Sequence, residues 1–240
     1  MAEPAIPRRQ FLLEACVATT AVAAPLPATT PAEAQQAPPA RTGAQGSADG
    51  ETFQTLHPSE AAFFSAAVDT IIPADDLSPS GTECGVLTFI DRQLAGAWGS
   101  GAKMYRSGPF RKGKPEQGYQ LALTPRAFFA AGIVATNAWV KKNYGKDFDR
   151  LPAKDRDEVL KALDQGKADL VDLDGKQFFE ALLVLTMEGF FSDPIYGGNR
   201  NKISWKMIGF PGLPATYANL IEPYRNKRYS AEPQAIADFS

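Results

Sequence analysis

Histidine is nearly absent from this chain, since His57 is the only one among 240 residues. A Ser-His-Asp triad is therefore excluded, and so is a zinc site built from several histidines. His57 directly precedes Pro58, a residue typical of the first turn of a helix. Its expected place is at that helix end or on the surface.

Two cofactor motifs are missing as well. The sequence has no Cys-x-x-Cys-His for covalent haem attachment. It also has no Gly-x-Gly-x-x-Gly motif after a strand, which the dinucleotide-binding fold requires, so flavin cannot bind by that route. We therefore predict that this chain binds no cofactor and no metal and has no catalytic residues of its own.

An excess of positive charge is also lacking. The chain carries 25 Lys and Arg residues against 27 Asp and Glu residues, for a net charge of −2. No basic stripe with interleaved aromatic residues occurs, although nucleic-acid-binding proteins carry such a footprint. Nucleic acid is therefore not an expected partner.

No apolar run reaches the roughly 20 residues that a transmembrane helix needs. The apolar stretch nearest the N-terminus, residues 15–24, is rich in alanine and is followed by Pro25 and Pro27. Its length and its end at prolines are typical of the apolar region of an export signal.

The residues on either side of that stretch support an export signal. Arg8 and Arg9 precede it together with Phe11, and residues 32–34 are Ala-Glu-Ala, the spacing of a cleavage site. We predict a twin-arginine signal over residues 1–34, cleaved after Ala34, and export to the periplasm. The twin-arginine translocase carries folded proteins, which implies folding or cofactor loading before export.

The remainder divides into two parts. Residues 35–52 are mostly Pro, Ala, Gln, Gly and Ser and have little to bury, so we predict a flexible leader. Residues 53–240 show apolar residues at helical spacing and no convincing strand alternation. We predict an all-α fold, a compact single helical domain with long irregular loops at 99–123 and 192–214. The predicted helices span 58–71, 86–98, 125–144, 153–163, 177–191 and 215–220.

Cysteine use leaves two alternatives open. Cys16 lies in the predicted signal, so cleavage would leave Cys84 alone in an oxidising compartment. An unpaired cysteine there is either a buried apolar residue or one half of a disulfide to another subunit.

Three carboxylates are the only candidates for acid–base chemistry that we identify. Asp75 and Asp76 lie next to Ser and Gly residues, where turn roles are common, and Asp91 lies in a predicted helix. An independent periplasmic enzyme or a binding module that uses these carboxylates is the alternative to a non-catalytic role.

Residues 192–212 combine prolines, glycines and aromatic side chains. Glycine and proline interrupt a helix, while the aromatic residues favour burial, so an ordered and packed loop is expected. Aromatic residues in such a loop either anchor a partner or fill the domain's own core. The candidate interface residues are Tyr196, Gly197, Gly198, Asn199, Trp205 and Phe210.

The same loop carries a family resemblance. Residues 193–198, Asp-Pro-Ile-Tyr-Gly-Gly, resemble the signature of the gluconate 2-dehydrogenase subunit 3 family. Residues 64–73, 85–91 and 118–121 are similar to other blocks of that family, and the resemblance extends from about Leu56 over nearly all of the remaining chain. The longer loop at 99–118 departs from the family pattern.

The resemblance implies a role in a complex. Members are non-catalytic small subunits beside a large FAD-containing subunit of the GMC type, commonly with a multihaem cytochrome c subunit. The complex oxidises sugars or sugar acids in the periplasm and is membrane-associated through the partner subunits. The small subunit is thought to help the flavoprotein mature and to escort it through the twin-arginine translocase. By this resemblance FAD lies in the partner and haem c in a cytochrome subunit.

Overall fold

The computed structural model describes residues 52–111, 113–114, 117–214 and 216–239. Within these ranges the chain forms helices and turns but no strand, with only isolated bridges at Leu170–Leu173 and Gly212–Gln234. The predicted all-α class is therefore confirmed. The α-helices are α1 (Pro58–Ile71), α2 (Val86–Ala95), α3 (Pro125–Tyr144), α4 (Ala153–Asp164), α5 (Gly175–Phe191) and α6 (Ile203–Ile208).

Local capping explains where the helices begin and end. The Thr124 hydroxyl accepts a hydrogen bond from the Ala127 amide at 3.3 Å, and Pro125 occupies the first turn of α3. Gly145 ends α3 with a left-handed φ of 72°. The Asp174 carboxylate caps α5 in the same way as Thr124 caps α3. Helix positions were thus predictable wherever the caps are encoded locally.

The core is built from phenylalanines of α1, α3, α5 and the turn after α3. Their rings lie 4.8–6.3 Å apart by centroid, and burying each ring stabilises the fold by about 1.5–3 kcal/mol. These rings tie the helices into one core. The residues are Phe63, Phe64, Phe128, Phe129, Phe148 and Phe178.

Three expectations about secondary structure need correction. Helix α2 ends at Ala95 rather than at 98, because Gly96 follows in an extended conformation. The segment 192–214 is not irregular throughout, since it contains α6, whose Trp205 is buried. The predicted helix at 215–220 is a short 3-10 turn, Ala218–Leu220, that has little surface to bury.

Short 3-10 turns complete the described chain, at Phe148–Arg150, Pro194–Tyr196, Arg200–Lys202 and Ile236–Phe239. None of the helices described here is both long and apolar enough to cross a membrane.

Candidate partner interface

The segment 192–210, here called the signature loop, is fixed to the beginning of α2. The Arg200 amide donates to the Cys84 carbonyl oxygen at 2.9 Å. Gly85 has a left-handed φ of 85°, and a side chain there would overlap the Gly197 carbonyl oxygen. The loop backbone therefore lies in direct contact with the turn before α2.

Two adjacent glycines make this approach possible. Gly197 has a φ of 106°, and a Cβ on it would lie 3.1 Å from side-chain atoms of both Thr88 and Arg92. A Cβ on Gly198 would lie 2.8 Å from Ser192 Oγ and closer still to the carbonyl oxygen of Gly189 in α5. Gly198, which is buried, therefore packs against α5, and the half-buried Gly197 packs against α2.

Asn199 holds the loop together from inside. It is fully buried and has a left-handed φ of 47°. Its Nδ2 donates to the Ser192 carbonyl oxygen at 2.9 Å. Its Oδ1 accepts from the Ser204 amide at 3.0 Å and from the Ser204 hydroxyl at 2.7 Å. The side chain thus satisfies buried polar groups of the loop.

Trp205 is also an internal residue. Its side chain is only 6% exposed, and Nε1 donates to the Phe191 carbonyl oxygen at 2.8 Å. The ring packs edge-on against Phe210, with centroids 5.2 Å apart. Phe210 itself remains 41% exposed. Of this aromatic pair, only Phe210 offers surface to another protein.

The exposed apolar residues of the loop stand on this rigid frame. Ile195 is 47% exposed and Tyr196 is 50% exposed. The Arg92 guanidinium donates to the Ile195 carbonyl oxygen at 3.3 Å, which ties this turn to α2. We call the three exposed apolar residues of the loop, Ile195, Tyr196 and Phe210, the loop face. Among the six predicted interface residues, Tyr196 and Phe210 are therefore available to a partner, whereas the other four support them.

A contact that sequence reasoning missed comes from the C-terminal segment. The Ile236 amide donates to Asp193 Oδ2 at 2.9 Å, and Lys202 Nζ donates to Asp238 Oδ2 at 2.6 Å. The hydrogen bond from Lys202 lowers the pKa of the Asp238 carboxyl. Residues 236–239 therefore pack against the signature loop. No motif signals this contact, because its partners lie 36 and 43 positions apart in the sequence.

Cys84 is 1% exposed, and its Sγ lies 3.6 Å from the Pro79 carbonyl oxygen. Burial desolvates the thiol and raises its pKa, so the reactive thiolate is suppressed. This geometry favours the buried alternative over an intersubunit disulfide, which stays an open prediction.

We expect the Cys84 thiol of the folded chain to resist alkylation by iodoacetamide and to react fully after denaturation. Peptide mapping by mass spectrometry would assign the label to Cys84 rather than Cys16. A band in a non-reducing gel that contains two subunits, splits with thiol and disappears in Cys84→Ser would contradict this expectation.

Two of the three carboxylates considered for catalysis, Asp75 and Asp91, accept hydrogen bonds from backbone amides. Asp91 is 3% exposed and accepts hydrogen bonds from the amides of residues 54–56 at 2.7–3.0 Å. Asp75 Oδ1 accepts from the Leu77 and Ser78 amides at 2.8 and 3.0 Å, which is a turn role. Asp91 thereby fastens the beginning of the described chain to α2. Neither group is arranged for acid–base chemistry.

Two further predictions are that the chain binds no metal ion and that it carries a twin-arginine export signal. In the described ranges, no three His, Cys, Asp or Glu side chains lie close enough together to hold a metal ion. Arg8 and Arg9 of the predicted export signal lie outside the described residues.

Comparison with known proteins agrees with the loop's resemblance. The family model for gluconate 2-dehydrogenase subunit 3 matches residues 58–212, which is well over half of the chain. No curated protein and no solved structure matches. The match includes α1 to α6 and the signature loop and ends before the C-terminal segment. The chain therefore belongs to the gluconate 2-dehydrogenase subunit 3 family.

Proposed function

We propose that this chain is the non-catalytic small subunit of a periplasmic, FAD-dependent sugar or sugar-acid dehydrogenase complex such as gluconate 2-dehydrogenase. It supports maturation, stability and twin-arginine export of the large flavoprotein subunit. FAD belongs to that subunit, and haem c belongs to a cytochrome subunit where one is present. Membrane association arises through these partners.

The loop face is the observation that carries this proposal. Isolated surface apolar residues are normal, but Ile195, Tyr196 and Phe210 stand on a loop that buried hydrogen bonds and close glycine contacts hold in place. A rigid apolar surface loses little conformational entropy on binding, which favours tight association. The family match supports membership of a multi-subunit dehydrogenase.

The alternative of an independent enzyme finds less support. Asp91 is buried against backbone amides, and Asp75 stabilises a turn. We therefore assign the chemistry to the partner.

Tyr196→Ala should weaken association with the flavoprotein subunit. Truncation of an interface anchor costs about 2 kcal/mol, which corresponds to roughly 30-fold in Kd. Because the side chain is half exposed, helicity and thermal stability should change little. Co-purification of the tagged chain with the flavoprotein, followed by titration of the separated subunits, measures the effect.

Tyr105→Ala is the matched control, since Tyr105 is an exposed tyrosine outside the signature loop. It should leave the affinity unchanged. Equal affinities for the Tyr196 variant and the unsubstituted chain would mean that the loop face is not the docking surface.

Trp205→Ala should instead lower the free energy of unfolding of this chain by about 3–5 kcal/mol, as expected for truncation of a buried aromatic residue.

A further inference from the structure

A second surface, separate from the signature loop, has the form of a groove along α5. It is lined by Trp98, Tyr119 and Phe129 from other parts of the chain and by Glu180, Val184 and Glu188 of α5. We call this the α5 groove. It lies beside the long connection between α2 and α3, the segment in which the sequence departs from the family pattern.

The groove presents apolar surface that nothing in the described chain covers. Trp98 is 43% exposed and Val184 is 56% exposed. The Tyr119 ring stacks on Phe128 at a centroid distance of 4.0 Å, and its hydroxyl is buried without a hydrogen-bond partner among the described residues.

The charges of the groove have one sign. Glu180 and Glu188 line it, and none of the described lining residues is basic. Glu188 lies in the last turn of α5, where the negative end of the helix dipole adds to its own charge. Desolvation by partial burial raises the pKa of the Glu188 carboxyl. Lys176 approaches Glu180 only to 3.9 Å, in a solvent-exposed pair.

The length of the groove favours a peptide segment over a small ligand. Its lining residues on α5 run from Gln177 to Glu188, which at about 1.5 Å per residue spans about 16 Å. That length matches about three turns of a partner helix and exceeds what a small ligand needs. The two glutamates lie about 12 Å apart along the helix by the same rise. Aromatic side chains beside carboxylates also favour cations.

We propose that the α5 groove binds an amphipathic, basic segment of a second protein, with two Lys or Arg residues that pair with Glu180 and Glu188 on either side of apolar side chains. The apolar residues pack on Trp98 and Val184. None of the residues that line the groove belongs to the signature loop, so this site and the loop face use different residues.

A synthetic helical peptide tests the proposal on the full chain. The probe has about 16 residues, with two lysines about seven positions apart and leucines between them on the same face. Its twin carries glutamates in place of the lysines. Binding is followed by tryptophan fluorescence and by chemical-shift changes at residues 177–188. We expect the lysine peptide to bind and the glutamate twin to bind at least about 10-fold more weakly, as for loss of charge-assisted pairs.

Two sets of variants locate the binding. Glu180→Gln with Glu188→Gln should weaken the lysine peptide about 10-fold or more, and Val184→Lys should abolish binding by placing a cation in the groove. Glu158→Gln with Asp164→Asn makes the same change in net charge on α4 and should have no effect. The proposal is overturned if the lysine peptide does not bind, if the twin binds equally, or if the groove variants bind as the unsubstituted chain does. Because only this chain is used, none of these outcomes bears on the flavoprotein role.

Discussion

Replacing Arg8 and Arg9 together by lysine should hold this chain in the cytoplasm. Lysine keeps the positive charge but lacks the planar guanidinium with its several donors, which a receptor for paired arginines can read. We expect periplasmic protein to fall to a small fraction of the normal amount. Cell fractionation followed by immunoblotting measures it.

The same double substitution tests the escort role. If the flavoprotein subunit travels bound to this chain and has no signal of its own, FAD-containing dehydrogenase should accumulate in the cytoplasm. A dye-linked dehydrogenase assay on each fraction would show this. Arg41→Lys, the same chemical change outside the arginine pair, should export normally. Normal periplasmic activity in the Arg8, Arg9 variant would leave this subunit at most a stabiliser that joins after export.

Gly198→Ala should be among the most destabilising single-methyl additions in this domain. The new Cβ would overlap the Gly189 carbonyl oxygen and lie 2.8 Å from Ser192 Oγ. The overlapped atom belongs to the backbone of α5, which cannot turn aside as a flexible side chain can. Overpacking of this kind costs about 3 kcal/mol, or about 6–12 °C in Tm for a domain of this size. Thermal unfolding followed by circular dichroism measures it.

Gly145→Ala provides the control for this substitution. Gly145 has a left-handed φ of 72° but open space around the added Cβ, so only backbone strain of about 1–2 kcal/mol is expected. Gly198 lacks a left-handed φ, so its larger cost would come from the clash alone. If Gly145→Ala proved the more damaging change, the close packing of the signature loop on α5 would be wrong.

Much of the helical framework was predictable from short-range chemistry. Thr124 with Pro125 marks the beginning of α3, and Gly145 marks its end, because capping depends on neighbours a few positions away. The sequence predicts a helix at 215–220, but only a 3-10 turn, Ala218–Leu220, forms there, because it has no buried face to stabilise a longer helix. The sequence alone offers Asp91 as a possible acid, whereas in the fold its carboxylate accepts hydrogen bonds from amides 35–37 positions away, which no local pattern signals.

The sequence by itself determined the helical class, the family signature at 193–198 and the importance of the glycine-rich loop. Only the tertiary structure decided which loop residues face outward. Trp205 and Phe210 are aromatic neighbours, yet the first is buried against Phe191 and the second is exposed. Trp205 is held inside by the hydrogen bond from its Nε1 to the Phe191 carbonyl oxygen, 14 positions away, and the bonds of Arg200 to Cys84 and of Ile236 to Asp193 fix the loop around it. The local sequence shows which residues are apolar enough to be buried, whereas contacts between distant parts of the chain determine which of them are buried.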